Sequence, residues 1–298
     1  MNGETPLGMR ADVLVTDLDP LIVTAPVIRS GTTLLQRLLC SSRRALIFGE
    51  KCADDLDLFL NLYAFKVREY GYHKQRYAQG LQRVLAGDVN DWIPDLMPDV
   101  EGYLAALGRS AFAGVTYCRS YALRAGRPVW GFKYPGWKPP TVRLLRTVMP
   151  QARFIFLYRD IIDCLRSAKA QDAVSSLPEV RDFCQTWAEG LRDALDLAGD
   201  PALLVLRYEE LLADPAAALA RIGRFSGLAD MDPAVLEHKI NTWRGEDYLA
   251  QQRDGYTPPS ELTAGELQIV DRLTSGLRAR LYTALPALTG LEQPERMY

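Results

Sequence analysis

Short apolar runs alternate along the chain with stretches whose leucines recur at helical spacing. The first run, Leu21-Ile22-Val23-Thr24-Ala25, ends at Pro26 and predicts a buried strand. A polar loop follows, and then Thr32-Thr33-Leu34-Leu35-Gln36-Arg37-Leu38-Leu39, whose apolar positions predict a helix. The same reading predicts strands at 128–132, 152–158 and 202–206, the middle one being the strongest in the chain. It predicts helices at 139–148, 161–170, 178–198, 215–225 and 263–282. Between residues 54 and 126 the pattern is helical throughout. Leu56, Phe59, Leu60, Tyr63 and Val67 share one face there, and Tyr103, Leu104, Leu107, Ala111 and Val115 mark a later segment. The Trp and Tyr residues between Tyr63 and Tyr121 fall at helical spacing, which predicts core packing, with the lining of a binding pocket as the alternative.

Strands that alternate with helices and are apolar on both faces predict a parallel sheet covered on both sides. The expected fold is α/β, a three-layer fold with a central parallel sheet flanked by helices and a helical insertion at about 54–126, in one domain over residues 1–298. Ligands of such sheets bind beyond the carboxyl ends of the strands. The polar residues just past those ends are Arg29 to Thr33, Lys133, Arg159 and Tyr208.

Composition narrows the partners. The 298 residues are 48% hydrophobic, enough for a large core. Thirty-five Lys and Arg against 37 Asp and Glu leave a net charge of −2, which excludes a broad electrostatic footprint for nucleic acid or anionic membrane. A small basic pocket for one anion is compatible with that balance. The five cysteines, at 40, 52, 118, 164 and 184, include no C-x-x-C pair, so buried reduced thiols are expected rather than disulfides or zinc. The first ten residues lack a signal-peptide pattern, and the longest apolar stretches fall far short of the roughly 20 residues a bilayer span needs. The expectation is a soluble, cytoplasmic protein with no membrane span.

Two segments carry candidate chemistry. Arg29-Ser30-Gly31-Thr32-Thr33 joins a strand to a helix N-terminus, where free N–H groups, the helix dipole and three hydroxyls make a phosphate-type anion site. An ordinary N-cap is the plainer alternative. The segment departs from the ATP-binding pattern GxxxxGK[ST], because Ala25 stands at the first Gly and Thr32 at the Lys. The second segment ends a strand at Tyr158-Arg159-Asp160, with Ser167 eight residues after the Arg and two turns into the next helix. Arg offers a planar fork to a phosphate and Ser a hydroxyl beside it. The plainer alternative pairs Arg159 with Asp160 or Asp163.

Taken in order, the strand–Arg-Ser-Gly-Thr-Thr–helix unit and the strand–Arg-Asp unit with its spaced Ser resemble the sulfotransferase family. A third stretch, Leu206-Arg207-Tyr208-Glu209-Glu210-Leu211, resembles the family's Tyr-Glu-Asp-Leu segment. The resemblance implies 3′-phosphoadenosine 5′-phosphosulfate as cofactor and adenosine 3′,5′-bisphosphate as product. It implies that Arg29, Ser30, Gly31, Thr32 and Thr33 hold the 5′-phosphosulfate, that Arg159 and Ser167 hold the 3′-phosphate, and that Tyr208 lies near the adenine. The closest likeness is to the branch containing tyrosylprotein sulfotransferases and bacterial relatives. There a Gly-Glu pair after the first helix supplies the base, and Gly49-Glu50 occupies that place here. The same branch has a Lys after the second strand at the reacting group, matched by Lys133. The His used as base by cytosolic sulfotransferases is missing, since Tyr134-Pro135-Gly136-Trp137 stands there. The two histidines, His73 and His238, are read as surface or helix-packing residues. Lys239 and Trp243-Arg244-Gly245 are read as a solvated helix end, with closure over the cofactor as the alternative. Pro26-Val27-Ile28 is bulkier than the Gly-containing loop of relatives.

The implied reaction moves a sulfuryl group to a hydroxyl or amine acceptor, with Glu50 as base and Arg29 and Lys133 stabilising charge. The competing readings are an ATP- and magnesium-dependent phosphotransferase, with Asp160 on the metal, and a non-catalytic nucleotide-binding module. Acceptor identity and oligomeric state are not legible.

Overall fold

Among the described residues, five strands form one parallel sheet in the order β2-β3-β1-β4-β5. They are β1 (Leu21–Ala25), β2 (Ala45–Phe48), β3 (Val129–Pro135), β4 (Arg153–Tyr158) and β5 (Leu203–Arg207). This computed structural model describes residues 16–237 and 259–289, except 91, 94, 95, 138 and 198, with backbone only at 139, 140 and 282–289. His238, Lys239 and the 243–245 stretch lie outside the described residues.

Four of the five strands coincide with apolar runs in the sequence. The edge strand β2 is the exception. It is four residues long, and Ala45, Ile47 and their neighbours carry too short an alternation to be read locally. It becomes a strand by pairing with β3 in the register Ala45↔Val129 to Phe48↔Phe132. The strand expected at 128–132 also runs further, through Lys133 to Pro135, because β1 pairs with it to the end, Ala25↔Pro135.

Helices cover both faces. On one face α1 (Thr32–Ser41), α8 (Tyr208–Ala213) and α9 (Pro215–Ser226) bury Leu35, Leu38, Leu39, Leu211 and Ile222 against Leu21, Val23, Ile155 and Leu157. Each such leucine, fully withdrawn from water, stabilises the fold by roughly 1.5–3 kcal/mol. On the other face lie two clusters. One joins Ile22, Trp130, Phe132 and Phe154 to the helical insertion, which comprises α2 (Glu50–Leu85), α3 (Val100–Ala111) and α4 (Ala113–Arg124), and to α5 (Pro139–Val148). The other joins Phe156 and Tyr158 to α6 (Ile161–Lys169), α7 (Leu177–Asp196) and α10 (Ala264–Thr289).

Two expectations about the insertion need correction. Leu56, Leu60, Tyr63 and Val67 are buried, but Phe59 is about half exposed, because the face turned to the sheet is narrower than the full apolar stripe. Tyr63 and Tyr77 join the core, whereas Tyr72, Trp92, Tyr117 and Tyr121 are exposed, so core packing was right for only part of the aromatic set. Of the five cysteines, all free, Cys164 and Cys184 are buried and the other three half-buried. No helix among the described residues is long and apolar enough to cross a membrane.

The first crossover, β1–α1–β2, leads to one side of β1, and β4 and β5 lie on the other. The loop after β1 therefore opens at the point where strand order reverses, the usual crevice for a ligand.

Candidate active site

Arg29 and Gly31 both adopt positive φ, 69° and 94°, on either side of Ser30. A left-handed arginine is strained, and successive N–H groups in such a turn point into one concavity. Gly31 then starts α1 with no side-chain cap, and the first turn of that helix carries no acidic residue. Its leading N–H groups thus lack a side-chain cap at the end where the helix dipole favours an anion. Bulk at Pro26 is accommodated from behind, because Gly190 of α7 presents no side chain; a β-carbon there would stand 3.1 Å from Pro26.

Ser30 departs from the expectation that its hydroxyl faces the anion. The residue is fully buried, and its hydroxyl donates to the Val27 carbonyl at 2.9 Å. Its part in the loop is to close the turn. Behind it lies Cys164, whose sulfur is 3.7 Å from the Ser30 hydroxyl and whose thiol burial pushes up to about 12, so it stays protonated and inert. Thr32 is also buried, whereas the Thr33 hydroxyl meets Lys133.

The second corner comes up against the first. Arg29 Nε donates to the Ser167 hydroxyl at 3.0 Å across 138 residues of sequence. The Arg159 guanidinium lies 4.7 Å from the centroid of the Tyr208 ring, a cation–π distance. That ring in turn rests against Gly31, where a β-carbon would collide with it. Gly31 and Arg159 thus both contact Tyr208 at the ends of β1, β4 and β5. Arg159 also makes the helix-turn pair with Asp163, at 3.8 Å. Its Nε is nonetheless buried with no hydrogen-bond partner among the described residues. A buried donor left over fits a bound anion.

The third corner is the end of β3. Lys133 is buried, and its ammonium donates both to the Glu50 carboxylate and, at 3.4 Å, to the Thr33 hydroxyl. Glu50 begins α2 straight after Gly49, with half its side chain exposed. One turn on, Asp54 accepts a hydrogen bond from the Tyr134 hydroxyl at 3.1 Å. Burial first, then Asp54 and its acidic neighbours, hold the Tyr134 phenol above its ordinary value, so it remains a neutral donor and no substitute for the missing His. His73, far along α2, packs edge-on against Tyr72 and Tyr77, as a helix-packing residue does.

Asp160 is committed elsewhere than to a metal. One carboxylate oxygen caps α6 by accepting from Ile162 N–H at 2.9 Å, and the other accepts from Arg278 at 3.2 Å. The Trp187 indole holds the Arg159 carbonyl at 3.0 Å, and Glu209 accepts the Asp160 N–H at 3.0 Å. Sequence reasoning missed Trp187, Arg278, Asp54 and the role of Glu209. Only Glu209, inside the Tyr-Glu motif, carried any local signal.

With this geometry in hand, comparison with known proteins is decisive. A model described as the sulfotransferase family matches residues 20–233, more than two thirds of the chain. The chain belongs to the sulfotransferase family. Its reaction is accordingly sulfuryl transfer, the activity that the ordered motifs implied. No curated protein matches the chain. Among solved structures, the sulfotransferase domain from the curacin biosynthetic pathway is 15% identical, with a TM-score of 0.50 over 94% of this chain and 100% of that one, and so shares the fold of this sulfotransferase. The sulfotransferase domain of the Synechococcus PCC 7002 olefin synthase is 18% identical over 88% of this chain and 97% of that one, with a TM-score of 0.46. Retinol dehydratase, solved with androsterone and the inactive cofactor PAP, is 19% identical over 94% of this chain and 84% of that one, with a TM-score of 0.42.

Proposed function

We propose that this sulfotransferase binds 3′-phosphoadenosine 5′-phosphosulfate across the two loop-and-helix corners and transfers its sulfuryl group to a hydroxyl or amine positioned at Glu50. The observation that carries the reading is the Arg29–Ser167 hydrogen bond, which brings the two proposed corners into contact. The nucleotide supplies an activated sulfuryl group and a stable leaving anion. Arg29, Thr32, Thr33 and the N–H groups after Gly31 hold its 5′ end, Arg159 and Ser167 its 3′-phosphate, and Tyr208 the region of the adenine. Ser30 contributes backbone alone, its hydroxyl being spent on Val27.

Glu50 accepts the acceptor's proton as the acceptor attacks. Lys133, shared between Glu50 and Thr33, orients that carboxylate and brings positive charge to the oxygen on which negative charge develops. Arg29, whose Nε meets Ser167, adds a second cation to the nucleotide site. Residues 54–126 act as part of the same domain and border the acceptor side, since α2 begins with the base. Five free thiols suit a reducing, cytoplasmic setting.

Titration calorimetry with adenosine 3′,5′-bisphosphate in the absence of magnesium tests the nucleotide site, and a labelled phosphosulfate donor offered with phenols, alcohols, amines and peptides tests transfer. Tight bisphosphate binding followed by labelled product is the expected result. Binding of ATP only with magnesium would replace the reading with a phosphotransferase. Bisphosphate binding with no transfer to any acceptor class would reduce the protein to a binding module.

A further inference from the structure

The C-terminal helix α10 lies beyond the family-matched residues, yet it reaches Asp160, the residue after Arg159. Its Arg278 meets Asp160 at 3.2 Å, across 118 residues, and both side chains are largely withdrawn from water, at 27% and 19% exposed. We propose that Arg278 is a positioning residue of the 3′-phosphate corner, acting through Asp160 on Arg159.

Asp160 sits between Arg159, the last polar residue of its strand end, and Ile161, the first residue of α6, so no spare chain separates the phosphate ligand from the helix. Its carboxylate is divided between capping α6 and receiving Arg278, and its N–H is held by Glu209. The Arg159 carbonyl is held by Trp187 of α7. The backbone that aims the Arg159 guanidinium at Tyr208 is thus gripped from α7, α8 and α10 together. Electrostatics gives Arg278 a second effect. An unpaired carboxylate next to Arg159 would oppose a phosphate there and compete for the guanidinium; pairing with Arg278 offsets that charge. The helix itself does not need the pair. Ile269, Val270, Leu277 and Leu281 bury α10 against α7 and the rest of its cluster, so removing Arg278 leaves α10 docked.

The inference rests on the proposed 3′-phosphate role of Arg159, and the experiment separates the two. Affinities for adenosine 3′,5′-bisphosphate and for adenosine 5′-monophosphate are measured by calorimetry on the full chain. Wild-type protein that fails to prefer the bisphosphate overturns the 3′-phosphate reading itself, and this inference with it. Given that preference, Arg278→Gln is expected to weaken the bisphosphate roughly tenfold and the monophosphate less than about twofold, with Arg278→Lys recovering most of the loss. In an Asp160→Asn background, Arg278→Gln is expected to change the ratio by less than about twofold, because the partner through which Arg278 acts is gone. Equal weakening of both ligands, no change in either, or a full effect in the Asp160→Asn background would each overturn the proposal. Arg278→Met keeps the packing of the stem and carries the same measurement should Arg278→Gln fail to fold.

Discussion

The ring of Tyr208 rests on the backbone of Gly31, so that the end of β5 closes on the loop after β1 with no room for a β-carbon between them. Gly31 also needs its φ of 94°, a conformation that an L side chain resists. Gly31→Ala therefore meets two penalties at one atom. The strain alone is worth about 1–2 kcal/mol, and displacing Tyr208 disturbs the ring that the Arg159 guanidinium contacts. Urea unfolding should register the lost stability and calorimetry a weakened bisphosphate. A variant with wild-type midpoint and affinity would mean that the contact is slack.

Glu50→Gln keeps the shape of the residue and removes its ability to take a proton. Turnover should fall by about 10²–10⁴-fold, while affinity for adenosine 3′,5′-bisphosphate stays nearly unchanged. The amide oxygen of the new Gln can still accept from the buried Lys133, so the protein should remain folded. Retained turnover in a steady-state assay would remove Glu50 from the role of base.

Arg159→Ala deletes the guanidinium whose buried Nε has no partner among the described residues. Binding of nucleotides that carry a 3′-phosphate should weaken by roughly 1.5–3 kcal/mol, the range for a hydrogen bond to a charged group. Nucleotides without that phosphate should be little affected. Parallel losses for both, measured by calorimetry, would make Arg159 a structural residue.

Glu179 governs a pH effect at the start of α7, the helix that carries Trp187. Backbone N–H and hydroxyl groups of Ser175 and Ser176 hold its carboxyl at about 2, against an ordinary 4.5. A lowered folded value means that the stabilisation is complete above about pH 4.5 and disappears as pH falls through 2. Thermal melts of Glu179→Gln should therefore lie below wild type at neutral pH, with the gap narrowing between pH 4.5 and 2. A constant gap across that range would show that the cap works without its charge.

The two loop-and-helix corners proposed to hold the nucleotide could be picked out in the sequence because each is local. Gly31 follows an apolar run and opens a helix, and Arg159 and Ser167 stand eight residues apart on one strand-to-helix unit. Ser30 looked equivalent to its neighbours in that pattern, and only the fold turned its hydroxyl onto Val27. Strand β2 escaped because four residues of weak alternation have no identity until β3 pairs with them. Exposed Phe59 and Tyr121 had the same spacing as buried Tyr63, since periodicity names a face but not how much of it is covered.

By itself, the amino-acid order determined that strands and helices alternate, that the sheet is parallel, and which strand ends carry polar side chains. Those properties depend on neighbours a few residues apart. Tertiary structure decided which donors meet: Lys133 with Glu50 across 83 residues, Arg29 with Ser167 across 138, Arg278 with Asp160 across 118. Parallel pairing forces long crossovers, so groups that converge at one edge of the sheet start far apart in the chain, and no local pattern records which of them will touch.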